Sequence, residues 1–482
     1  MISPRGGSER KLCGTGAVIT AWSPDGKFIG ILDRDETKEL WVFFLVSVET
    51  GRKERLFLST APAVFRGDVI FFFAFAPDGR HLLFAGGPSA PQADVGNLLN
   101  SIGAGGTDIY LLPLAGGVAK EEPRRLTNDS KEIMGLAWTP DSREIVFSST
   151  RGGRPSLWRV PIAGGQEPQR IPGTDAGFYP AISKAPPIRL TYQRSYLDTN
   201  IWCMEIPKSQ EISGSPAPII ASSTLERDPQ FSPDGTRIAF ASTRSGNSEL
   251  WLAGSDGSNP VPLTSFSGKR TAGGPSWSPD GRQIAFDSNR PPQRDIFVID
   301  VESRAYRQLT DEPSLQGRPS WSRDGHWIYF GSNKSGTYQI WKVPADGGKA
   351  RQITQGGGFE ARETPDGKVL YYTKARSMTP GAWSVPADGG EEIPVIESVR
   401  SGYWAVADKG IYFLDFDAAL ASAAKPLRFF SFETRKITQV GVIEKIQLTL
   451  DASFSVTRNG RWVIWRQLDR SESSIMLIDN FR

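Results

Sequence analysis

The chain has 482 residues with 50 Gly, 35 Pro and 14 Trp, a composition that fits many short strands joined by tight turns. A formal net charge of +3 is small for this length, and with no zinc-ligand spacing or helix-turn-helix pattern it argues against direct nucleic-acid binding by this chain. Two cysteines, Cys13 and Cys203, are not a disulfide framework; free thiols favour a reducing compartment.

From the start, Met1 to Gly16 holds no apolar core of signal-peptide length, and the longest apolar runs, Leu40 to Val46 and Val69 to Ala76, are too short to cross a bilayer. The expectation is a chain without a membrane span in the cytoplasm, or in the periplasm if an N-terminal part is missing. Gly6-Gly7-Ser8-Glu9-Arg10-Lys11-Leu12 matches the outer strand that ends a complete repeat at Gly347 to Thr354. It is expected either to pair with the last repeat and close a ring, or to mark a start inside a longer protein.

A turn signal then recurs along the chain: Trp22-Ser23-Pro24-Asp25-Gly26, Phe75-Ala76-Pro77-Asp78-Gly79, Trp138-Thr139-Pro140-Asp141-Ser142, Phe231 to Gly235, Trp277 to Gly281 and Trp321-Ser322-Arg323-Asp324-Gly325. Proline fixes φ at the second turn position, aspartate suits the third, and glycine takes the left-handed conformation that resumes the hairpin. Weaker forms are Thr364-Pro365-Asp366-Gly367, Ala407-Asp408-Lys409-Gly410 and Thr457-Arg458-Asn459-Gly460. An independent series of third-strand signals runs through Leu40-Trp41, Leu157-Trp158, Ile201-Trp202, Leu250-Trp251, Ile340-Trp341 and Ile475-Met476. Both series give about ten repeats, each a four-stranded antiparallel meander that must stack on its copies to bury its faces. The fold class is therefore all-β, a propeller of about ten four-stranded repeats, as two units or one large ring.

The clearest copy runs from Phe231 to Thr264. The insertion Gly86 to Thr107 reads as an exposed loop, and the Ser/Pro/Gly-rich Ser209 to Pro218 as a connector. That connector sets the preferred division: about four blades in residues 1–220 and a six-bladed propeller in 221–482. At the end, Trp462 to Gln467 and Ile475 to Asp479 are read as second and third strands of a last blade that lacks its fourth.

The repeated FSPDG, IAF, LW and DG pattern resembles the TolB-like propeller repeat, found also in the non-catalytic domains of prolyl-oligopeptidase-type peptidases. Trp321 to Gly325, Gly357-Gly358-Phe359-Glu360-Ala361, Gly402-Tyr403-Trp404-Ala405-Val406 and Ile475 to Arg482 resemble the propeller regions of bacterial winged-helix regulators or serine/threonine kinases. This chain carries neither of those partner domains.

Catalytic constellations do not stand out. No serine has glycine two residues away on both sides, as a nucleophile elbow requires, and the only histidines, His81 and His326, follow Asp-Gly turns. The turns have Asp and Gly adjacent, unlike a sialidase Asp-box, and no site has calcium-loop oxygen spacing. The expectation is a non-enzymatic binding module with no cofactor or metal. Its alternative is the accessory propeller of a hydrolase lacking its catalytic domain. The positive signal is Phe-x-Ser-x-Arg/Lys between second and third strands, ending in Arg151, Arg244, Arg290 and Lys334. Equivalent loops gather on one propeller face, so these cations are expected either to face an acidic peptide or other anionic protein partner, or to pair with carboxylates within the blades.

Overall fold

The computed structural model describes residues 12, 19–34, 41–55, 68–88, 108–115, 118–119, 121, 123–129, 131, 133–152, 155–207, 215–222, 224–245, 247–266, 270–290, 293–374, 380–418, 424–444, 446 and 453–481. Every regular element among them is a β-strand, and every sheet is a run of antiparallel neighbours. The chain forms two compact units, residues 1–196 with 472–482, and residues 197–471. The division thus falls between Tyr196 and Leu197, upstream of the stretch Ser209 to Pro218 that composition had marked.

The template repeat shows how a blade is made. Glu226–Phe231, Arg237–Ser242, Glu249–Gly254 and Val261–Pro262 pair in that order. The first hairpin closes on a hydroxyl: Ser232 Oγ accepts from Arg237 N at 2.9 Å and donates to Asp234 Oδ1, which also accepts from Thr236 N at 3.0 Å. Ser278 Oγ likewise donates to Asp280 at 2.6 Å in the next blade. These hydroxyl bonds, with backbone N–H donors, hold the carboxyls of Asp234 and Asp280 below the usual carboxylate range. Gly235 has φ +73°, which a residue with a side chain reaches only with strain.

Two strands break the meander. Leu190–Glu205 and Trp462–Ile478 each run through without a turn and contribute to both units. Neither contains Gly or Pro, whereas the links after Arg151, Ser245 and Ser335 each begin with Gly and the link after Arg290 is Pro291-Pro292. The last-blade reading is therefore corrected: Ile475 and Met476 continue the strand that starts at Trp462, and no hairpin intervenes. The sixth blade of the second unit takes Phe454–Val456 and residues 462–467 from the chain's end, then residues 201–205 and Ala217–Ile220 from before its first blade. Ile206 N donates to Arg461 O at 2.8 Å within it.

In the second unit each inner strand packs on the next: Glu226–Phe231, Thr271–Trp277, Gln316–Trp321, Glu360–Glu363, Trp404–Ala407 and Phe454–Val456, the last returning to the first. The ring is closed by Ser453 and Ser455, whose hydroxyls accept from Asp228 N at 2.9 Å and Phe231 N at 3.4 Å. Core side chains fill the wedge between neighbouring blades; Ile201, Ile220 and Ile464 of the sixth pack on Phe231, Ile238 and Phe240 of the first. In the first unit, Gly177–Ile182 and the start of Leu190–Glu205 join residues 472–478 behind three earlier blades, with Met476 and Ile478 against Leu190 and Tyr192. Of the expected partner of that edge, Ser8 to Leu12, only Leu12 lies among the described residues, where its carbonyl oxygen would meet an added Cβ on Gly51 of the first blade at 2.3 Å.

Tryptophans before the turns bind blade to blade. Trp277 Nε1 donates to Gln230 O at 3.2 Å and Trp321 Nε1 to Ser276 O at 3.0 Å, each reaching the preceding inner strand. Trp138 does the same to Ala74 O at 3.1 Å in the first unit. Trp22 departs from this pattern and is half exposed.

Candidate functional site

The six inner strands of the second unit line an axial channel enclosing about 150 Å³. One end is shaped by strained backbone. Asp228 and Arg318 adopt φ +52° and +55°, Gly274 adopts +55°, and each precedes a proline at a β-bulge. The bulges leave Asp228 and Arg318 lining the axis, where Arg318 pairs with Asp228 at 3.3 Å, and Gly274 N donates to Asp228 Oδ2 at 3.3 Å. These residues escaped sequence reasoning, although a signal exists: proline stands two places before the aromatic at Asp228-Pro229, Gly274-Pro275 and Arg318-Pro319.

The channel's other end lies at the first-hairpin turns. The wall position two before the turn hydroxyl is Gln230, Ser276, Ser320, Ala405 or Ser455 in five blades and Arg362 in the fourth. The second turn position is Pro233, Pro279 and Pro365 in three blades, Asp408 in the fifth, and arginine in the third and sixth, Arg323 and Arg458. Arg323, Arg362 and Arg458 all line the channel. Arg362 Nη1 donates to Ala361 O at 2.9 Å, and among the described residues none of the three guanidiniums has a carboxylate at ion-pair distance. Burial pushes Arg323 and Arg362 below the usual guanidinium value; Arg458 adds to the effect at Arg323 while Asp408 and Glu363 oppose it, and at Arg362 Glu360 opposes it while Arg318 adds.

The carboxylates of this end act on these guanidiniums from beyond ion-pair distance and take their hydrogen bonds from other donors. Glu363 takes the place held by Phe or Trp in the first three blades; it accepts from Tyr329 Oη at 2.8 Å and from Arg323 N, and burial pushes its carboxyl up. Glu360 accepts from Gly402 N at 3.0 Å.

The cations singled out by sequence are placed differently. Arg244 donates from Nη2 to the buried Glu226 at 2.8 Å and lies over Trp251 at 5.0 Å. Lys334 pairs with Glu312 and lies over Trp341 at 5.2 Å. Arg151, in the first unit, pairs with Asp129 at 3.3 Å and lies over Trp158 at 5.5 Å. Arg290 ends the strand Gln283–Arg290, and its side chain lies outside the described residues. Arg151 and Arg244 thus join a second-strand serine and a third-strand tryptophan through their side chains, Lys334 reaches Ser332 through its backbone N, and Lys374 lies over Trp383 at 3.3 Å with Tyr372 in the serine's place. Arg244 and Lys334 follow the second strand, at the opposite mouth from Arg323 and Arg458.

His81 begins the strand His81–Pro88 and His326 stands exposed in a turn of the other unit. Cys203 is half-buried with its thiol pushed up to about 11 by burial. No helix among the described residues is long and apolar enough to cross a membrane.

Residues 16–271 and 215–398 match the family described as TolB beta propeller domain. An uncharacterized protein of Agrobacterium fabrum is 31% identical over 45% of this chain and 67% of its own length. The Tol-Pal system protein TolB of Anaeromyxobacter dehalogenans is 31% identical over 29% of this chain, a match that spans 21% of that relative. Among solved structures, TolB from Acinetobacter baumannii is 17% identical, covering 76% of this chain and 79% of its own with a TM-score of 0.33. The expected nearness to winged-helix regulators and kinases finds no counterpart in these relatives. With that family matching across most of its length, the chain belongs to the TolB β-propeller family.

Proposed function

We propose that the chain is a non-enzymatic protein-binding propeller of a bacterial regulatory or envelope assembly, and that its partner docks in the axial channel of the second unit. The observation that carries this reading is the channel itself: six inner strands converge on it, and strained bulges present Asp228 and Arg318 there. Fractionation of the tagged chain reads its compartment directly, cytoplasm or periplasm.

The experiment is site-specific photocrosslinking in the native host. A photoreactive residue at Ser320, on the channel wall, is expected to yield a discrete adduct with a protein partner, and one at the exposed outer-strand Tyr306 is not. Adducts from Tyr306 alone would place docking outside the channel.

A further inference from the structure

Three arginines interrupt the repeat at the places where its other copies carry proline, a carboxylate or small and neutral residues, and all three open into one channel. A residue found in every blade serves the blade. Arg323 and Arg458 hold that turn position in only two of six blades and Arg362 its wall position in one, so blade construction does not require them. Arg323 and Arg362, partly buried, also stand in an unusual electrostatic position, whereas Arg458 is exposed. Guanidinium groups within a protein are ordinarily held by a carboxylate, since an uncompensated cation away from water is costly. Here Asp228 and Arg318 satisfy one another at the far end, and the carboxylates that act on Arg323 and Arg362, namely Asp408, Glu363 and Glu360, do so from beyond ion-pair distance, with Glu360 and Glu363 receiving backbone or tyrosine hydrogen bonds.

From this juxtaposition, and resting on the channel as the docking site, we infer that the partner presents an acidic segment whose carboxylates are received between Arg323, Arg362 and Arg458. About 150 Å³ equals about five water volumes, which suits one acidic side chain or a chain terminus and not a folded domain. Forked guanidiniums projecting from turns of the third and sixth blades, which lie across the ring from one another, can each take a carboxylate with two parallel hydrogen bonds. The burial that disfavours charge on Arg323 and Arg362 gives an arriving anion more to offset than a solvated surface would.

The test uses the full chain and fluorescein-labelled octaglutamate, with octaglutamine as the neutral probe, read by fluorescence anisotropy at fixed salt. Octaglutamate is expected to bind the unaltered chain at least tenfold more tightly than octaglutamine. The double variant R323Q/R458Q is expected to lose about tenfold or more of that affinity, about the effect of one lost charge-assisted bond. R323K/R458K, which keeps the charge, retains most of it. The charge-matched control R282Q/K349Q, at two exposed positions outside the channel, leaves binding unchanged. Equal binding of the two probes, or equal loss in R282Q/K349Q and R323Q/R458Q, overturns the inference. Channel crosslinking from Ser320 is independent of these readings: adducts there with no preference for octaglutamate would leave the docking site standing and remove only its acidic ligand.

Discussion

Arg244 and Glu226 show what the repeated cations do for a blade. Glu226 is fully buried and accepts from Arg244, Ser222 and Ser242. Arg244→Ala strands that carboxylate and is expected to cost about 3 kcal/mol in denaturant unfolding. Arg170→Ala, which removes an exposed pair with Asp175, stays within about 0.5 kcal/mol. Equal effects would mean that Glu226 is solvated or finds another donor. At this scale the sequence is readable where a residue type repeats: the turn aspartates hold the hairpins, and the indoles of Trp138, Trp277 and Trp321, though not Trp22, tie neighbouring blades. Arg323 falls in the recurring turn signal and Arg458 in a weaker form of it, and the pattern singles out neither. Their meaning lies in being exceptions, and it emerges only once the turns are placed around a common axis.

The strands that cross from one repeat to another carry the architecture. Spacing gave the number of repeats, but pattern alone assigned Ile201-Trp202 and Ile475-Met476 to blades of their own, because each resembles a third strand. What decides against a hairpin is the run from Leu190 to Glu205, and again from Trp462 to Ile478, with no residue suited to a turn. That negative signal was present in the sequence. The pairing of Trp462–Ile478 with Leu190–Glu205 was not, since it depends on contacts across more than half the chain. Gly257 tests this closure. It sits at φ +83° in the first blade, and an added Cβ would lie 1.7 Å from the Ile219 carbonyl oxygen of the outer strand Ala217–Ile220. Gly257→Ala is expected to cost about 3 kcal/mol or more. Gly235→Ala, at φ +73° with its nearest neighbour 3.8 Å away, is expected to cost about 1 kcal/mol in backbone strain alone. Similar losses at both glycines would argue that the outer strand does not pack there.

For the second unit as a whole, the antiparallel blades send their charge to two mouths. Arg244 and Lys334 end at one, already engaged by Glu226 and Glu312; Arg323 and Arg458 open at the other. Sequence reading chose the recurring cations as the partner-facing set, since recurrence is what a sequence displays most plainly. The geometry directs attention to the opposite mouth. Amide hydrogen exchange of the full chain with and without octaglutamate decides between them. Binding in the channel is expected to slow exchange in residues 318–323, 360–363 and 454–458 and to leave residues 242–245 and 332–335 unchanged. Protection confined to 242–245 and 332–335 would contradict the account and return the binding face to the repeated cations.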